Sequence, residues 1–290
     1  MAARAKRLIP VAAVACAWAA VLAAQQAPAR RIISLVPALT EALYAIGAGP
    51  SVVAVSSYDD YPPEVKTLPR VGALLDPDTE RILSMRPDLV LAYGTQDALK
   101  AQLQRTGIPV FDYRHGGLAD ITATIRRLGV ETGHVSGANR VVLEIERRIA
   151  EVRARVAERP RPRVLLVFGR EPLSLRNVYA SGGQGFLHDL IDAAGGTNVF
   201  GDVRRESVQV STEMLLSRAP EAIIELRVGA PPAGEQARRE REAWQRLPGV
   251  PAVRSQRVFI LHGDHLLVPG PRVALAAEDV ARALHPEVFR

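Results

Sequence analysis

One cysteine in 290 residues leaves little room for thiol chemistry, and that one, Cys16, falls in a segment that reads as a removable leader. Without the leader the chain has no cysteine. That excludes disulfides and a cysteine nucleophile, and it suits an exported protein whose cores are large enough to fold without covalent staples. There is no Gly-x-Ser-x-Gly elbow and no His-Glu-x-x-His pair, so the serine-hydrolase and zinc-protease constellations are excluded and no enzyme is expected. Ser181-Gly182-Gly183-Gln184-Gly185 outlines an anion cradle before a helix, yet it lacks the lysine of a phosphate loop and the spacing of a dinucleotide fingerprint. His262-Gly263-Asp264-His265 offers imidazoles and a carboxylate, but the histidines at 115, 134, 188 and 285 add no tight cluster. A bare-metal site needs three or four protein ligands. A cationic excess is also nearly missing: Arg4, Lys6 and Arg7 of the leader account for three of the 37 basic residues, leaving 34 against 31 acidic ones. Arg and Glu alternate between Arg140 and Arg163, and no aromatics interleave with the basic residues, so nucleic-acid binding is not expected.

What is present begins with that leader. Its three basic residues precede Leu8 to Ala24, an almost uncharged Ala/Val/Leu run, which is the pattern of a signal peptide spanning residues 1–29. Cleavage fits after Ala29 or after Ala24. Ala13-Val14-Ala15-Cys16 is a poor lipoprotein signal because the apolar run continues past the cysteine, so a lipid anchor at Cys16 is not expected.

From Arg31 onward strands and helices alternate over short connections. Strands are expected at 32–36, 52–55, 89–92 and 109–113, and again at 164–168, 222–226 and 258–261, with helices at 40–46, 98–105, 186–194, 235–247 and 272–284. This is the pattern of parallel sheets covered on both faces. Between them, residues 138–158 contain neither Gly nor Pro, and Val141, Ile145, Ile149, Val152 and Val156 recur at helical spacing. The expectation is an α/β protein of two Rossmann-like lobes, 30–133 and 161–290, joined by a single long α-helix over 134–160.

The lobes also repeat each other in sequence. Thr79-Glu80-Arg81-Ile82-Leu83-Ser84-Met85-Arg86-Pro87-Asp88 aligns without a gap to Thr212-Glu213-Met214-Leu215-Leu216-Ser217-Arg218-Ala219-Pro220-Glu221, 133 residues later. Arg31-Ile32-Ile33-Ser34-Leu35 likewise matches Arg163-Val164-Leu165-Leu166-Val167. Each lobe therefore presents a glutamate, Glu80 or Glu213, at the same place on a helix's first turn, where the helix dipole favours a carboxylate. Thr-Glu is also an ordinary helix start, worth a few tenths to about 1 kcal/mol.

Arg31 through Glu41, Ser56-Ser57-Tyr58-Asp59-Asp60-Tyr61-Pro62-Pro63, Glu80 through Val90, Tyr179-Ala180-Ser181-Gly182-Gly183, Ala193 through Phe200 and Pro269-Gly270-Pro271-Arg272 together resemble the cobalamin-binding periplasmic proteins that serve ABC importers of metal chelates. The resemblance covers nearly the whole chain after the leader. It implies a periplasmic monomer that binds a corrinoid as its transported ligand between the lobes, with no cofactor of its own, and delivers it to a permease dimer. Heme or a ferric siderophore is the alternative ligand, and a tetrapyrrole chelatase the alternative of another class. By the same resemblance Glu80 and Glu213 dock on arginines of the permease, and Pro37, Ala38, Tyr58, Leu74, Tyr93, Gly182, Gly183, Ser207 and His265 face the ligand. Arg170 is a further candidate for carboxylates or phosphate on the ligand. Tyr58 matches an aromatic position, whereas Tyr93, His265, Leu74 and Ser207 stand where the relatives carry tryptophans, so apolar contact area is lost. On the residues alone, Tyr58 also reads as a loop tyrosine packed on Pro62, and Tyr93 as a strand-end core residue. His265 is the candidate for one axial bond to a chelated metal.

Overall fold

The computed structural model describes residues 28–289; most of the leader, with Cys16, lies outside the described residues. In the first lobe β1 (Ile32–Ser34), β2 (Val52–Val55), β3 (Leu89–Tyr93) and β4 (Val110–Tyr113) form a sheet of order β2-β1-β3-β4 in which every pair is parallel. The strands are apolar runs because both faces are covered. Ile32, Leu89, Leu91 and Phe111 lie in a core shared with α1 (Pro37–Ile46) and α4 (Leu118–Glu131). Ile33, Val90 and Ala92 pack on the other side with Ile82 of α2 (Thr79–Ser84) and Leu99 and Leu103 of α3 (Asp97–Arg105). Helix α1 starts with Pro37, whose missing N–H costs nothing there, and ends at Gly47 in a left-handed conformation (φ 97°).

Helix α5 (Val135–Val156) then runs from one lobe to the other. Its stripe of Val142, Ile145, Ile149, Val152 and Val156 is buried, while Val141 is only partly covered. The stripe packs on α1 and α4 at one end and on elements of the second lobe at the other. Gly137 marks the crossing: a Cβ there would lie 2.0 Å from the Ile46 carbonyl oxygen, so only glycine lets α5 pass so close to the end of α1.

The second lobe holds β5 (Arg163–Gly169), β6 (Val178–Ser181), β7 (Thr197–Asn198), β8 (Ser207–Val210), β9 (Ala222–Arg227) and β10 (Val258–His262), in the order β10-β9-β5-β6-β8 with β7 also beside β5. Strands β10, β9 and β5 are parallel, but β6 is antiparallel to both its neighbours. To the parallel run expected from the sequence this lobe thus adds an antiparallel extension. Its strands of four residues sit among Gly, Ser and charged residues, too short for a readable period. Helices α6 (Phe186–Ala193), α7 (Thr212–Arg218), α8 (Gly234–Gln245), α9 (Pro251–Arg254) and α10 (Val273–Leu284) complete it. Helix α4 was not expected from the pattern.

The repeated segments adopt the same local structure. Asp78 caps α2 by accepting the Arg81 N–H (3.0 Å), and Ser211 caps α7 by accepting that of Met214 (3.2 Å). Each helix is followed by a left-handed residue, Arg86 (φ 46°) or Ala219 (φ 44°), then a proline, then an acid. That acid ties down the lobe's first strand: Asp88 accepts the Arg31 N–H (2.9 Å), and Glu221 accepts that of Arg163 (2.8 Å). The two arginines reach back to the helix ends, Arg31 to the Met85 carbonyl (2.7 Å) and Arg163 to that of Arg218 (2.5 Å).

A helix whose apolar stripe is anchored in both lobes resists bending, because a bend breaks backbone hydrogen bonds and opens the core. Spin-label distances between the lobes are expected to change by only a few ångströms on ligand addition. A large hinge closure would show that α5 is not a rigid strut.

Candidate functional site

The lobes meet along a seam built from the starts of α1, α4 and α10. The Leu118 N–H at the start of α4 donates to Asp189 of α6 (2.8 Å). The Ala38 carbonyl lies against Gly270, where a Cβ would come within 3.2 Å of it. Glu41, on the first turns of α1, receives two bonds from the Arg272 guanidinium (2.8 and 2.6 Å), and Arg272 lies under the Tyr61 ring, 3.9 Å from its centroid. Burial raises the Glu41 pKa from the usual carboxylate value, against the opposing hydrogen bonds and charge of Arg272. Pro37 and Ala38 are thus at the seam.

Tyr58 projects from the loop after β2 and is 74% exposed, so it is not a tyrosine buried on Pro62. Its loop is held from beneath by Asp59, which is fully buried and accepts the Ser56 N–H (2.9 Å) and hydroxyl (2.5 Å). Arg70 donates to the carbonyls of Ser56 (2.8 Å) and Asp59 (2.5 Å). Burial raises the Asp59 pKa, and its Oδ1 has no partner among the described residues. Buried Gln96 joins two of the expected residues: its side chain accepts the Tyr93 N–H (3.0 Å) and donates to the Leu74 carbonyl (3.1 Å). Leu74 itself is exposed.

Tyr93 is half-buried and belongs to an aromatic cluster, with its ring centroid 5.9 Å from that of Tyr113 and 5.5 Å from that of His115. Burial, reinforced by the nearby Asp59 charge, pushes the Tyr93 phenol up to about 12. Burial likewise raises Tyr113, with the Tyr93 and Glu206 charges adding to it. The loss of solvation lowers the His115 pKa against the opposing charge of Glu206, which belongs to the second lobe. Glu206 is exposed and adjoins Ser207, the exposed first residue of β8. Gln96, Tyr113, His115, Glu41, Arg272 and Glu206 were missed in the sequence. Only Tyr113 and His115 carried a signal: residues 111, 113 and 115 continue the two-residue period of β4 onto the face of Tyr93.

Four expected residues are used differently. Arg170 does not reach the seam: its side chain is fully buried, bonded to Glu225 (3.0 Å) and Glu240 (2.9 Å), with Trp244 donating to the same Glu225 oxygen (2.8 Å). A buried guanidinium requires such partners, and here they pin α8 to β9. Gly182 and Gly183 form no anion cradle, since their N–H groups donate to the carbonyls of Glu206 (3.0 Å) and Val203 (2.8 Å). Cβ atoms on them would strike the carbonyl oxygens of Arg205 (2.1 Å) and Gly201 (2.2 Å), so they are glycines for close chain packing. His265 bonds Asp279 through Nε2 (2.7 Å), so that nitrogen is not open to a metal, while its Nδ1 packs close to Gly263, which has no side chain to cover it. Among the described residues no group of three or more His, Cys, Asp or Glu could hold a metal ion.

Glu80 and Glu213 are each the second residue of their helix, exposed, and without an ion-pair partner among the described residues. Their surroundings match in cap, turn and strand anchor.

Two α/β lobes on one spanning helix, with a polar and aromatic seam between them, define a two-lobed binding protein. The signature of the periplasmic binding proteins matches residues 32–265, and the chain belongs to that family. Among curated relatives, the vitamin B12-binding protein of Salmonella choleraesuis is 35% identical over 258 residues, covering 88% of this chain and 90% of that one. Among solved structures, the periplasmic vitamin B12 binding protein of Vibrio cholerae superposes with a TM-score of 0.74 at 29% identity, covering 89% of this chain and 98% of that one. The periplasmic heme-binding protein of Roseiflexus superposes equally well, TM-score 0.74, at 27% identity, covering 89% of this chain and 99% of that one.

Replacing Arg170 by Met removes one of the two guanidinium partners of buried Glu225, Arg227 remaining on its other oxygen, and is expected to cost about 1.5–3 kcal/mol of stability. Thermal unfolding should record the loss, while the affinity for ligand in the surviving folded protein stays unchanged. A normal melting temperature with weakened binding would return Arg170 to the ligand site.

Proposed function

We propose that this chain is the exported ligand-binding component of an ABC importer, and that it holds a corrinoid between its lobes and hands it to the permease without altering it. The observation that carries the reading is the pair of equivalent exposed carboxylates, Glu80 and Glu213, on a chain that aligns along most of its length with vitamin B12-binding proteins. A permease dimer has two-fold symmetry, and a two-lobed protein that repeats one carboxylate on each lobe can meet both halves with like contacts. Pro37, Ala38, Tyr58, Leu74 and Tyr93 would face the macrocycle from the first lobe, and Ser207 and the backbone around His265 from the second. Residence is periplasmic and monomeric. Cleavage of the leader after Ala24 fits better than after Ala29, because the Ala29 N–H bonds the Glu131 carbonyl (3.2 Å) and that contact survives only if Ala29 is retained.

Heme is the second reading, and the Tyr93–Tyr113–His115 cluster favours it, since phenol and imidazole are the groups that bind ferric iron. Calorimetric and absorbance titration with cyanocobalamin and with hemin decides between them. Saturable cyanocobalamin binding, with the corrinoid recovered intact, is expected. Binding of hemin alone would overturn the corrinoid reading but not the importer role.

Substituting both Glu80 and Glu213 by Ala is expected to leave ligand affinity unchanged while uptake and permease association fall, each contact being worth about 1.5–3 kcal/mol. Either single change should do part of the damage, and added salt should mimic it in part. Normal uptake by the double variant would reduce both glutamates to helix starts.

A further inference from the structure

His265, considered for an axial role, has its Nε2 held by Asp279 (2.7 Å), and a second imidazole stands at the seam. His115 follows β4, is exposed, and has no hydrogen bond to Nε2 among the described residues. Its Nδ1 lies 3.5 Å from the hydroxyl of buried Tyr113. Ring packing against Tyr113 (5.2 Å between centroids, edge-on) and Tyr93 (5.5 Å) restricts its orientation. With Nδ1–H directed at the Tyr113 oxygen, Nε2 keeps its lone pair, which is the arrangement of an imidazole ready to bind a metal. Two residues further on, Gly117 and Leu118 touch Asp189 of the second lobe, so His115 sits beside the junction of the lobes. The charge of Glu206 reaches it from the second lobe.

We propose that His115 Nε2 supplies an axial bond to the metal of the bound macrocycle, and so selects ligands whose metal has an exchangeable axial position. The assignment rests on the metal-chelate reading above and names the selectivity of that same site. The step is a ligand exchange: the imidazole lone pair forms the metal–nitrogen bond, the metal–oxygen bond to a bound water breaks, and the water leaves. No electron is transferred and the metal keeps its oxidation state. The lowered pKa of His115 keeps the imidazole neutral near pH 7, which is the form that ligates. Tyr93 and Tyr113 then back the imidazole, and the tryptophans missing from the wall are offset in part by a coordinate bond.

Aquocobalamin, which carries an exchangeable water, and cyanocobalamin, whose two axial positions are filled, separate the coordinate bond from the rest of the binding energy. With the wild-type protein, aquocobalamin is expected to shift its visible and near-ultraviolet bands to those of an imidazole adduct, while cyanocobalamin keeps its free spectrum. His115→Ala, a truncation at an exposed residue, should abolish the shift and weaken aquocobalamin by about tenfold or more, leaving cyanocobalamin within about twofold. Aquocobalamin bound with an unshifted spectrum, or shifted equally by the variant, overturns the assignment and leaves the corrinoid reading intact. Should only hemin bind, the corrinoid reading fails; a hemin spectrum altered by His115→Ala then supports the axial role on iron, and an unaltered one overturns it.

Discussion

Helix α5 is the member on which the other parts depend. Its buried stripe joins the apolar side of the first sheet to α10 and the second sheet in one continuous cluster, from Ile32 and Leu91 at one end to Val164 and Ile224 at the other. Neither lobe can rotate far without exposing part of that cluster. At roughly 25 cal/mol per Å² of apolar surface, even a modest opening is expensive against the marginal stability of a domain. The seam above α5 is therefore held at a nearly constant width. A ligand meets a largely pre-formed surface, and the rim glutamates keep their separation.

Polar contacts complete what the helix begins. Glu41 and Arg272 cross the seam with two short bonds, and Arg148 of α5 reaches Glu278 of α10 (2.9 Å). The first pair is largely shielded from water, so breaking it leaves a charge unsatisfied; the second is more open and contributes less. Within the second lobe the network of Arg170, Glu225, Arg227 and Glu240 fastens α8, whose outer face is almost entirely charged. Trp244 is the main apolar anchor of that helix, and its indole N–H joins the same network.

The duplicated rim shows how two dissimilar sheets carry the same local structure. Although the second sheet has gained antiparallel strands, cap, short helix, left-handed residue, proline and acid recur in both lobes. Each acid clamps the start of its lobe's first strand, and so the position of each glutamate is set by these hydrogen bonds together with one buried anchor per helix, Ile82 or Leu215. A carboxylate held at a capped helix start stays exposed and correctly placed while the sheet beneath it changes.

Strands, helices and the connecting helix were readable from the chain within a few residues, because period, caps and breakers act over one or two turns. Glu80 and Glu213 were readable for the same reason, their copies being matched by local sequence. Helix α4 and strand β8 were not, since neither had a framing signal strong enough to separate it from its neighbours. What only the tertiary structure decided is the fate of polar groups whose partners are remote in sequence. Arg170 looked like a loop arginine until Glu225 and Glu240, 55 and 70 residues away, drew it inside. Glu41 finds Arg272 across 231 residues, and Tyr93 meets Tyr113 and His115 only because β3 and β4 pair in register. Local patterns specify how each segment folds. Which charges are buried, and which imidazole is left free, depends on distances that exist only once the lobes have packed.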